Sequence, residues 1–410
     1  MSDQEPAFSG SDLGVTPLED LLAPIVGQLP PNTSLSPLRY DLNAGVPDRA
    51  SLPAAELAAA TDAVLKDDAA AALTYGGQQG YEPLRAWIAA RAAATSGVAL
   101  GPEHVTLTSG SAHGLQNVAL TFLGEGDTVI VGAPTYPGAI RTFRARGARI
   151  ITVPQDDDGL DPVALEQTLT SLRAAGVRPK LLYVIPNYDN PTGATLPLER
   201  RHAIVRLAHE YGTLIVEDDA YSGLDLDRPP PPSLFALANG RGVIQLGTFS
   251  KTVATGLRVA WVLSERFIVD ALVHMRFDNG ASPFLHRIVL HFLESGAYEP
   301  HVERLQAIYR ERRDAAASAL IEHAEPYARF RVPAGGFFLW LHLAEPLRAD
   351  AVRAAAIARE VAVTPGSTYF AQGGGERELR LVYSALPPEE LRDAIARLGE
   401  AMAAVAEGGE

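Results

Sequence analysis

The sequence predicts an α/β fold with a doubly wound, mostly parallel sheet and a smaller second domain. From about residue 70 to residue 265, short apolar runs of strand composition alternate with longer runs of helical periodicity. That alternation is typical of parallel strands joined by helices. In addition, 410 residues with 47% hydrophobic content suffice to bury a large core and a companion domain.

The predicted elements follow in chain order. Helical periodicity fills residues 112–123 and 198–211 between strand candidates, and residues 284–295 and 301–323 after them. Two later strand candidates, 337–343 and 379–383, complete a smaller C-terminal α/β domain. Seven strand candidates predict a seven-stranded large sheet. They are residues 105–108, 128–131, 149–153, 181–185, 213–217, 243–246 and 258–263.

The chain is predicted to have three parts. Residues 1–40 are rich in Pro, Gly and Ser and have few periodic apolar positions, which indicates a loose arm. We therefore divide the chain into an arm and a segment that packs with the small domain (1–65), a large domain (66–285) and a small C-terminal domain (286–410).

The composition excludes several classes of protein. A net charge of −14 disfavours binding to nucleic acid or anionic lipid, so we expect a small-molecule partner. Zero cysteines rule out disulfides, thiolate zinc sites and cysteine nucleophiles, and we expect no bound metal. The polar N-terminus and the lack of an apolar run of about 18 residues predict a cytoplasmic protein without a membrane span.

In open α/β sheets, ligands gather beyond the carboxyl ends of the strands, and one such end carries an unusual lysine. Only three lysines occur among the 35 basic residues. Lys66 lies in a polar helical run and Lys180 at a strand edge, whereas Lys251 follows a strand in the sequence TFSK. A buried amine near other cations has a lowered pKa and can condense with an aldehyde. The alternative is a strand-to-loop turn with an exposed lysine.

Two strand ends offer groups suited to a phosphate. Thr248, Ser250 and Arg258 surround Lys251 in the sequence, and hydroxyl and guanidinium groups bind phosphate. Elsewhere a strand ends in Ser109-Gly110-Ser111, where a helix begins, and helix N-termini bind anions. Helix capping alone would also explain the second motif.

Three further strand ends carry polar or aromatic side chains. Asp218 could pair with a protonated pyridine nitrogen and so keep that ring an electron sink. Asn190, in the turn NPTG, could point its amide into a site, and Tyr136 could stack on a flat cofactor. A helix cap, an ordinary turn and a surface tyrosine are the corresponding alternatives.

These motifs occur in an order that resembles a known family. The chain resembles the fold type I, class I/II aminotransferases, which depend on pyridoxal 5′-phosphate (PLP), over about residues 40–400. The blocks EDDAY and GTFSK are similar to those of the 2-aminoadipate/kynurenine aminotransferase branch. That branch also resembles the catalytic part of PLP-containing transcription regulators, but the roughly 40 preceding residues are too few and too Pro-rich for a helix-turn-helix domain. The motifs are SGS (109–111), PTYPG (134–138), NPTG (190–193), EDDAY (217–221), GTFSK (247–251), GLR (256–258), GGFFLWL (335–341), VTPGSTYF (363–370) and LRLVYS (379–384).

The resemblance implies roles for the cofactor-binding residues. Lys251 would form the internal imine with PLP and then transfer the substrate's α-proton. Asp218 would pair with the pyridine nitrogen, and Asn190 and Tyr221 would hydrogen-bond the phenolic oxygen. Tyr136 would stack on the ring. The phosphate would be held by Gly110, Ser111, Ala112, Thr248, Ser250 and Arg258.

The resemblance also implies how substrate and subunits meet. Arg380 would bind the substrate α-carboxylate in a bidentate pair, with Gly45 and Asn190 beside it. Tyr75 matches a tyrosine that reaches the phosphate of the neighbouring subunit, which implies a homodimer with shared sites. The expected reaction is transfer of an amino group between an α-amino acid and a 2-oxo acid, with a place in amino-acid metabolism and biosynthesis.

Several positions depart from the family pattern. Asp189 replaces a glutamine or similar residue before NPTG, Thr255 stands where a proline commonly precedes GLR, and Ala112-His113 replace a frequent glutamine pair. Each departure spares a cofactor-contacting side chain or concerns a contact made by the backbone, so cofactor binding should survive. The reaction stays open, because the same scaffold supports a lyase, cyclase or oxidase acting on an amino acid. A non-enzymatic PLP-sensing module is disfavoured by the missing DNA-binding domain.

Overall fold

The strands found in the structure coincide with the predicted runs and add short ones. The computed structural model describes residues 18–29 and 36–408. The described strands are β1 Tyr40–Asp41, β2 Val105–Thr108, β3 Thr128–Ala133, β4 Arg149–Asp156, β5 Gly159–Leu160, β6 Leu181–Val184, β7 Leu214–Asp218, β8 Val243–Thr248, β9 Ala260–Leu263, β10 Ala328–Phe330, β11 Phe338–Leu343, β12 Val361–Ala362, β13 Thr364–Pro365 and β14 Glu378–Val382.

The helices alternate with the strands of the large sheet and then dominate the C-terminal part. Short 3-10 helices cover Pro102–His104, Thr255–Leu257 and Gly366–Tyr369. The described α-helices are α1 Ala54–Asp67, α2 Ala69–Ala72, α3 Glu82–Ser96, α4 Ser111–Phe122, α5 Pro137–Ala145, α6 Pro162–Ala174, α7 Leu198–Tyr211, α8 Leu234–Leu237, α9 Arg266–His274, α10 Pro283–Glu294, α11 Tyr298–Ala324, α12 Ala349–Ile357 and α13 Pro388–Ala406. In the part of the chain that the structure describes, no helix combines the length and the hydrophobicity needed to span a bilayer.

The chain divides into two units, Met1–Thr33 and Ser34–Glu410. In the first unit, the described residues form two 3-10 helices, Leu18–Leu21 and Pro24–Gln28. The arm predicted over residues 1–40 lies for the most part outside the described residues. The second unit holds all the strands and helices named above.

The large sheet has the strand order β2-β9-β8-β7-β6-β3-β4-β5 within the described residues. Strands β8, β7, β6, β3 and β4 run parallel, and β9 runs antiparallel to both of its neighbours. Strand β2 therefore points the same way as β8. The predicted mostly parallel sheet is confirmed, and the two-residue β5 extends it by one strand that was too short to recognise in the sequence.

Helices cover both faces of this sheet because its strands are apolar on both sides. Along β3, Val129 and Val131 join one buried cluster while Ile130 joins the other, as the two-residue period of a strand requires. Helices α4, α5 and α9 contribute to the first cluster, and α3, α6, α7 and α10 contribute to the second. Two apolar layers of this kind are the mark of a doubly wound sheet.

The C-terminal part forms a second core around an antiparallel sheet of order β10-β11-β14-β13. Residues of α11, α12 and α13 fill this core together with strands β11 and β14. The N-terminal strand β1 pairs in parallel with β12, so the segment near residue 40 joins the C-terminal core. The predicted smaller C-terminal α/β region is thus present.

The sheet brings the chemistry-bearing loops to one edge. Because β2, β3, β6, β7 and β8 run the same way, their carboxyl ends meet at that edge. The loops that follow them contain the predicted site residues. These loops begin at Ser109, Pro134, Ile185, Asp219 and Phe249.

Candidate active site

Lys251 lies in the turn that follows β8, and its amino group is turned inward. Its Nζ donates a hydrogen bond to the carbonyl oxygen of Gly45 at 2.7 Å. Burial, with the charges of Arg380 and Arg258 and against that of Asp218, lowers the pKa of Lys251 to about 8. The amine is therefore partly neutral near physiological pH, which a nucleophile requires.

The turn is held rigidly on both sides of Lys251. On one side, the Thr248 hydroxyl donates to Ser250 Oγ at 2.9 Å and accepts the Ser250 N–H at 3.0 Å. On the other side, the buried Tyr298 hydroxyl donates to Thr252 Oγ1 at 3.2 Å. Phe249 fills the space behind the turn, with its ring 4.9 Å from that of Trp261. Sequence reasoning missed Tyr298 because a tyrosine at the start of a helix looks like a core residue.

Asp218 closes β7 and offers one unpaired oxygen. Its Oδ2 accepts a hydrogen bond from the Tyr183 hydroxyl at 2.7 Å. Its Oδ1 is buried and has no hydrogen-bond partner among the described residues. Burial raises the pKa of Asp218 to about 6; the hydrogen bond from Tyr183 and the charge of Lys251 oppose this rise, and the neighbouring Asp219 contributes to it. A buried carboxylate oxygen without a partner needs an explanation, and a ligand N–H would supply it.

Arg380 and Asn190 lie side by side although 190 residues separate them in the chain. Arg380 Nη1 donates to Asn190 Oδ1 at 3.0 Å, and Nη2 donates to the carbonyl oxygen of Asn43. The guanidinium lies 4.7 Å from the ring of Phe338 and 5.1 Å from that of Tyr369. Its Nε is buried without a partner in the described chain, so this N–H can still donate to an anion.

The SGS loop and Arg258 form a cradle at the start of α4. Gly110 has a φ of 92°, and a Cβ at this position would overlap the guanidinium of Arg258. Arg258 itself has a φ of 53° and donates from Nη2 to the Ser109 carbonyl at 3.3 Å. Ser111 and Ala112 begin the helix, and no side chain caps it. Positive charge beside an uncapped helix N-terminus suits a phosphate.

Residues at two of the positions that depart from the family pattern contact this cradle, one through its side chain and one through its backbone. His113 Nδ1 accepts the Ser109 N–H at 3.1 Å, so it fixes the loop from within α4. The carbonyl of Thr255 accepts a hydrogen bond from Arg258 Nη1 at 3.4 Å. Both positions therefore help to orient groups around the cradle.

Aromatic residues border the space between Lys251 and the cradle. Tyr221 is buried against Phe337 and Phe338, with ring centroids 5.8 Å and 5.4 Å apart. Its ring centroid lies 5.9 Å from Lys251 Nζ. Tyr136 is half-buried at the start of α5. Burial and the charge of Asp218 raise its pKa, and the charges of Arg258 and Arg380 oppose the rise.

Tyr75 is a predicted site residue that lies apart from the others, and its side chain is 86% exposed. The other two lysines lie elsewhere. Lys66 is exposed in the last turn of α1, and Lys180 forms a partly exposed ion pair with Asp127. Lys251 is therefore the lysine with a buried, deprotonatable amine.

The residues present fit PLP. The amine of Lys251 can condense with its aldehyde, the unpaired Asp218 Oδ1 can accept the pyridine N–H, and the cradle at Gly110 can take its phosphate. The site also contains residues that the sequence did not reveal: Gly45 in its contact with Lys251, Asn43, Tyr183 and Phe338. Gly45 had been predicted for the substrate, and Phe338 lies in the motif GGFFLWL without an assigned role; Asn43 and Tyr183 belong to no motif.

Comparisons with known proteins agree with this fit. The sequence model of the family described as aminotransferase class I and II matches residues 40–398. A 2-aminoadipate transaminase of Thermus thermophilus is 37% identical over 87% of this chain and 88% of its own length. An aromatic-amino-acid aminotransferase of Thermococcus litoralis is 32% identical over 88% of this chain and 87% of its own length.

A solved structure extends the agreement to the fold. An alpha-aminoadipate aminotransferase of Thermus thermophilus, in complex with N-(5′-phosphopyridoxyl)-L-leucine, is similar with a TM-score of 0.88 and 34% identity over 95% of this chain and 99% of that one. Both the sequence model and the curated relatives span most of the chain. The chain therefore belongs to the class I and II aminotransferases, PLP-dependent enzymes of fold type I that move an amino group between an α-amino acid and a 2-oxo acid.

Proposed function

We propose that this amino-group transfer takes place at a site built around Lys251, Asp218 and Arg380. The observation that carries the proposal is that these three groups, from distant parts of the sequence, border one space. Arg380 and Asp218 both act on the pKa of the Lys251 amine. Each group also has capacity for a ligand: an amine that can lose its proton, a carboxylate oxygen without a partner among the described residues, and a guanidinium Nε in the same condition.

Lys251 would hold the cofactor covalently and then move the substrate's α-proton on Nζ. A pKa of about 8 lets both forms of the amine coexist near neutral pH, as a group that alternates between base and acid requires. Bound PLP supplies the electron sink that stabilises the electrons left at the α-carbon. The carbonyl of Gly45 accepts a hydrogen bond from Lys251, so it would orient the amine whenever that amine is not bonded to the cofactor.

The remaining contacts to the cofactor are assigned by position. Asp218 Oδ1 would accept the pyridine N–H and keep the ring nitrogen protonated. Asn190 and Tyr221 would hydrogen-bond the phenolic oxygen, and Tyr136 would stack on the ring. The phosphate would lie in the cradle of Gly110, Ser111, Ala112, Thr248, Ser250 and Arg258.

Arg380 would bind the substrate α-carboxylate, with Asn190 and Gly45 beside it. A planar guanidinium binds a carboxylate through two parallel hydrogen bonds. Its contact with the Asn43 carbonyl would be exchanged for the substrate, while the contact with Asn190 keeps the fork oriented. Held in this way, the substrate presents its α-hydrogen for removal.

We further propose a homodimer in which Tyr75 reaches the phosphate of the neighbouring subunit. Leu73, Tyr75 and Phe277 are 66%, 86% and 80% exposed. Their segments adjoin, because a Cβ at Gly76 would lie 2.6 Å from Pro283 Cγ. Large apolar side chains exposed together are typical of subunit interfaces. A second copy of the chain would cover them.

We also propose the domain boundaries, the location in the cell and the metabolic role of the protein. The boundaries 1–65, 66–285 and 286–410 are supported by the separation of the two sheets, since β2–β9 fall within the middle segment and β10–β14 within the last. A cytoplasmic location and a place in amino-acid metabolism and biosynthesis are supported by zero cysteines and by the reaction itself.

The stalled half-reaction tests the proposed function. With a good amino acid and no oxo-acid acceptor, the enzyme should release one oxo acid per site and stop, and added oxo acid should restart it. 2-Aminoadipate and aromatic amino acids, named for the relatives, are the first substrates to assay. Continuous product formation or oxygen consumption would instead indicate a lyase, cyclase or oxidase, for which the relatives' names give no support.

Borohydride reduction tests the assignment of Lys251. The reduced cofactor should label one peptide, and Lys251→Ala should lose turnover while retaining some noncovalent PLP, since other residues hold the ring and phosphate. Lys180→Ala is the matched control and should behave as wild type. A label on Lys66 or Lys180 would contradict the assignment.

A further inference from the structure

The loop that presents Asn190 is closed by its own backbone. The Asp189 N–H donates to the Ala194 carbonyl at 2.9 Å, and the Gly193 N–H donates to the Asp189 carbonyl at 2.7 Å. These two bonds bring the ends of the loop together and leave Asn190 within it. Asn190 is buried, so its amide must take a defined orientation.

The side chains of Asp189 and Thr192 brace this loop from inside. Asp189 is 2% exposed, and its Oδ2 accepts the Thr192 hydroxyl at 2.7 Å and the Thr192 N–H at 3.4 Å. The same hydroxyl oxygen accepts the Ala194 N–H at 3.2 Å. One hydroxyl thus joins the start of the loop to its end. Asp189 is also the residue that departs from the family pattern before NPTG.

The Asn190 amide connects two parts of the site. Its Oδ1 accepts from Arg380 Nη1, so its Nδ2 is the end that remains to donate to the cofactor's phenolic oxygen. A small rotation of this amide would weaken both interactions, because hydrogen bonds are lost steeply with misalignment. Orientation of Asn190 therefore affects substrate binding and cofactor charge together.

The Asp189 carboxyl borders the same site. Burial and the charge of Asp218, against the hydrogen bonds from Thr192, raise the pKa of Asp189 to about 7. Burial raises the pKa of Tyr183 and of Tyr221, and the charge of Asp189 makes a smaller contribution in the same direction. The charge of Asp189 thus acts on groups that would surround the cofactor ring.

We propose, on the basis of the function proposed above, that Asp189 and Thr192 are a positioning pair whose hydrogen bond fixes the Asn190 amide between Arg380 and the cofactor's phenolic oxygen. Neither residue touches the reacting atoms. Their effect passes through Asn190, so it should be visible both in the absorbance of bound PLP and in the Michaelis constant.

Thr192→Val tests the pair, since it removes the hydroxyl and keeps the shape. A hydrogen bond to the phenolic oxygen weakens that oxygen's hold on the proton of the linked Lys251 nitrogen. Losing it should raise the pH midpoint of the holoenzyme's absorbance change by about one unit, the size expected for one hydrogen bond to a charged group. The Michaelis constant should rise for every amino acid tested, because Arg380 loses its orientation.

Two matched variants separate positioning from general damage. Thr192→Ser keeps the hydroxyl and should titrate as wild type. Thr195→Val makes the same change three residues further on, where the hydroxyl accepts the Tyr188 N–H at 3.4 Å, and should leave the midpoint unmoved. The thermal stability of each apo-protein, measured in parallel, reports any folding defect.

An unshifted midpoint in Thr192→Val, or an equal shift in Thr192→Ser, would overturn the inference. If Thr192→Val does not fold, Asp189→Leu decides, since it removes the acceptor and should give the same shift while Asp189→Asn keeps an oxygen and should not. Failure of the proposed function looks different: the wild-type protein would then form no covalent adduct with PLP at Lys251.

Discussion

Lys251 and Asp218 are charged side chains whose pKa values burial moves in opposite directions. The amine falls to about 8 and the carboxyl rises to about 6, because loss of water disfavours the charged form of each. Each group also stabilises the charged form of the other, so Asp218 raises the pKa of Lys251 and Lys251 lowers that of Asp218. The site therefore holds an amine that can give up its proton beside a carboxylate that is still ionised at neutral pH, which is the combination that PLP chemistry needs.

Asp218→Asn should abolish turnover and leave the apo-protein at least as stable. Because the folded pKa lies above the ordinary value of 3.8, the folded state binds this proton more tightly, so the free energy of unfolding falls as the pH rises from about 4 to about 6 and stays lower above that. Asparagine removes this dependence. Urea unfolding of the two apo-proteins at pH 8 should favour the variant by about 3 kcal/mol at most.

Asp219→Asn is the control, because Asp219 is the next residue in the chain and makes a structural hydrogen bond. Its Oδ1 accepts from Asn187 Nδ2 at 2.9 Å, and the oxygen of an asparagine can accept the same hydrogen bond. Turnover should persist. Loss of activity in Asp219→Asn together with activity in Asp218→Asn would mean that the motif had been misplaced by one residue.

At the scale of elements, the sequence predicted most of what positions the site. Each of the seven predicted strands exists, because an apolar run bounded by turn residues has few other ways to be buried. The last of them begins at Ala260 and not at the predicted residue 258, since Arg258 has a left-handed φ of 53° that ends extended structure. The same conformation turns its guanidinium toward Gly110.

Gly110→Ala tests the phosphate cradle. The methyl group would overlap the Arg258 guanidinium and displace it, so the dissociation constant of PLP should rise by about tenfold or more, equivalent to at least 1.4 kcal/mol. Gly97→Ala is the control, because Gly97 also has a positive φ of 72° but faces open space. It should cost about 1 kcal/mol of stability and leave PLP affinity unchanged. Equal PLP affinity in Gly110→Ala and wild type would remove the cradle from the site.

At the scale of the whole molecule, the contacts between distant segments of the chain could not be predicted from the sequence. Lys251 meets the Gly45 carbonyl across 206 residues, and Arg380 meets the Asn43 carbonyl across 337. Both acceptors are backbone atoms, which carry no signature in the residue type. The role of Tyr183 could not be predicted for another reason. It lies in a fully buried strand, where a tyrosine is expected to be an ordinary core residue. Motifs reveal side chains that bind ligands, whereas the groups that hold those side chains depend on how the two sheets come together.

Mixed dimers test whether the whole enzyme shares its sites. If each site combines Lys251 of one chain with Tyr75 of the other, a dimer of one Lys251→Ala chain and one Tyr75→Ala chain has one site without either residue and one site with both. Co-expression with two different affinity tags isolates that dimer. Tyr75→Ala alone should bind PLP more weakly, since Tyr75 would supply a hydrogen bond to the phosphate, and Lys251→Ala alone should be inactive. The mixed dimer should therefore regain wild-type PLP affinity and turnover in one of its two sites. If it instead shows the weakened PLP affinity of Tyr75→Ala, the tyrosine acts within its own chain, and the exposed patch around Tyr75 serves another purpose.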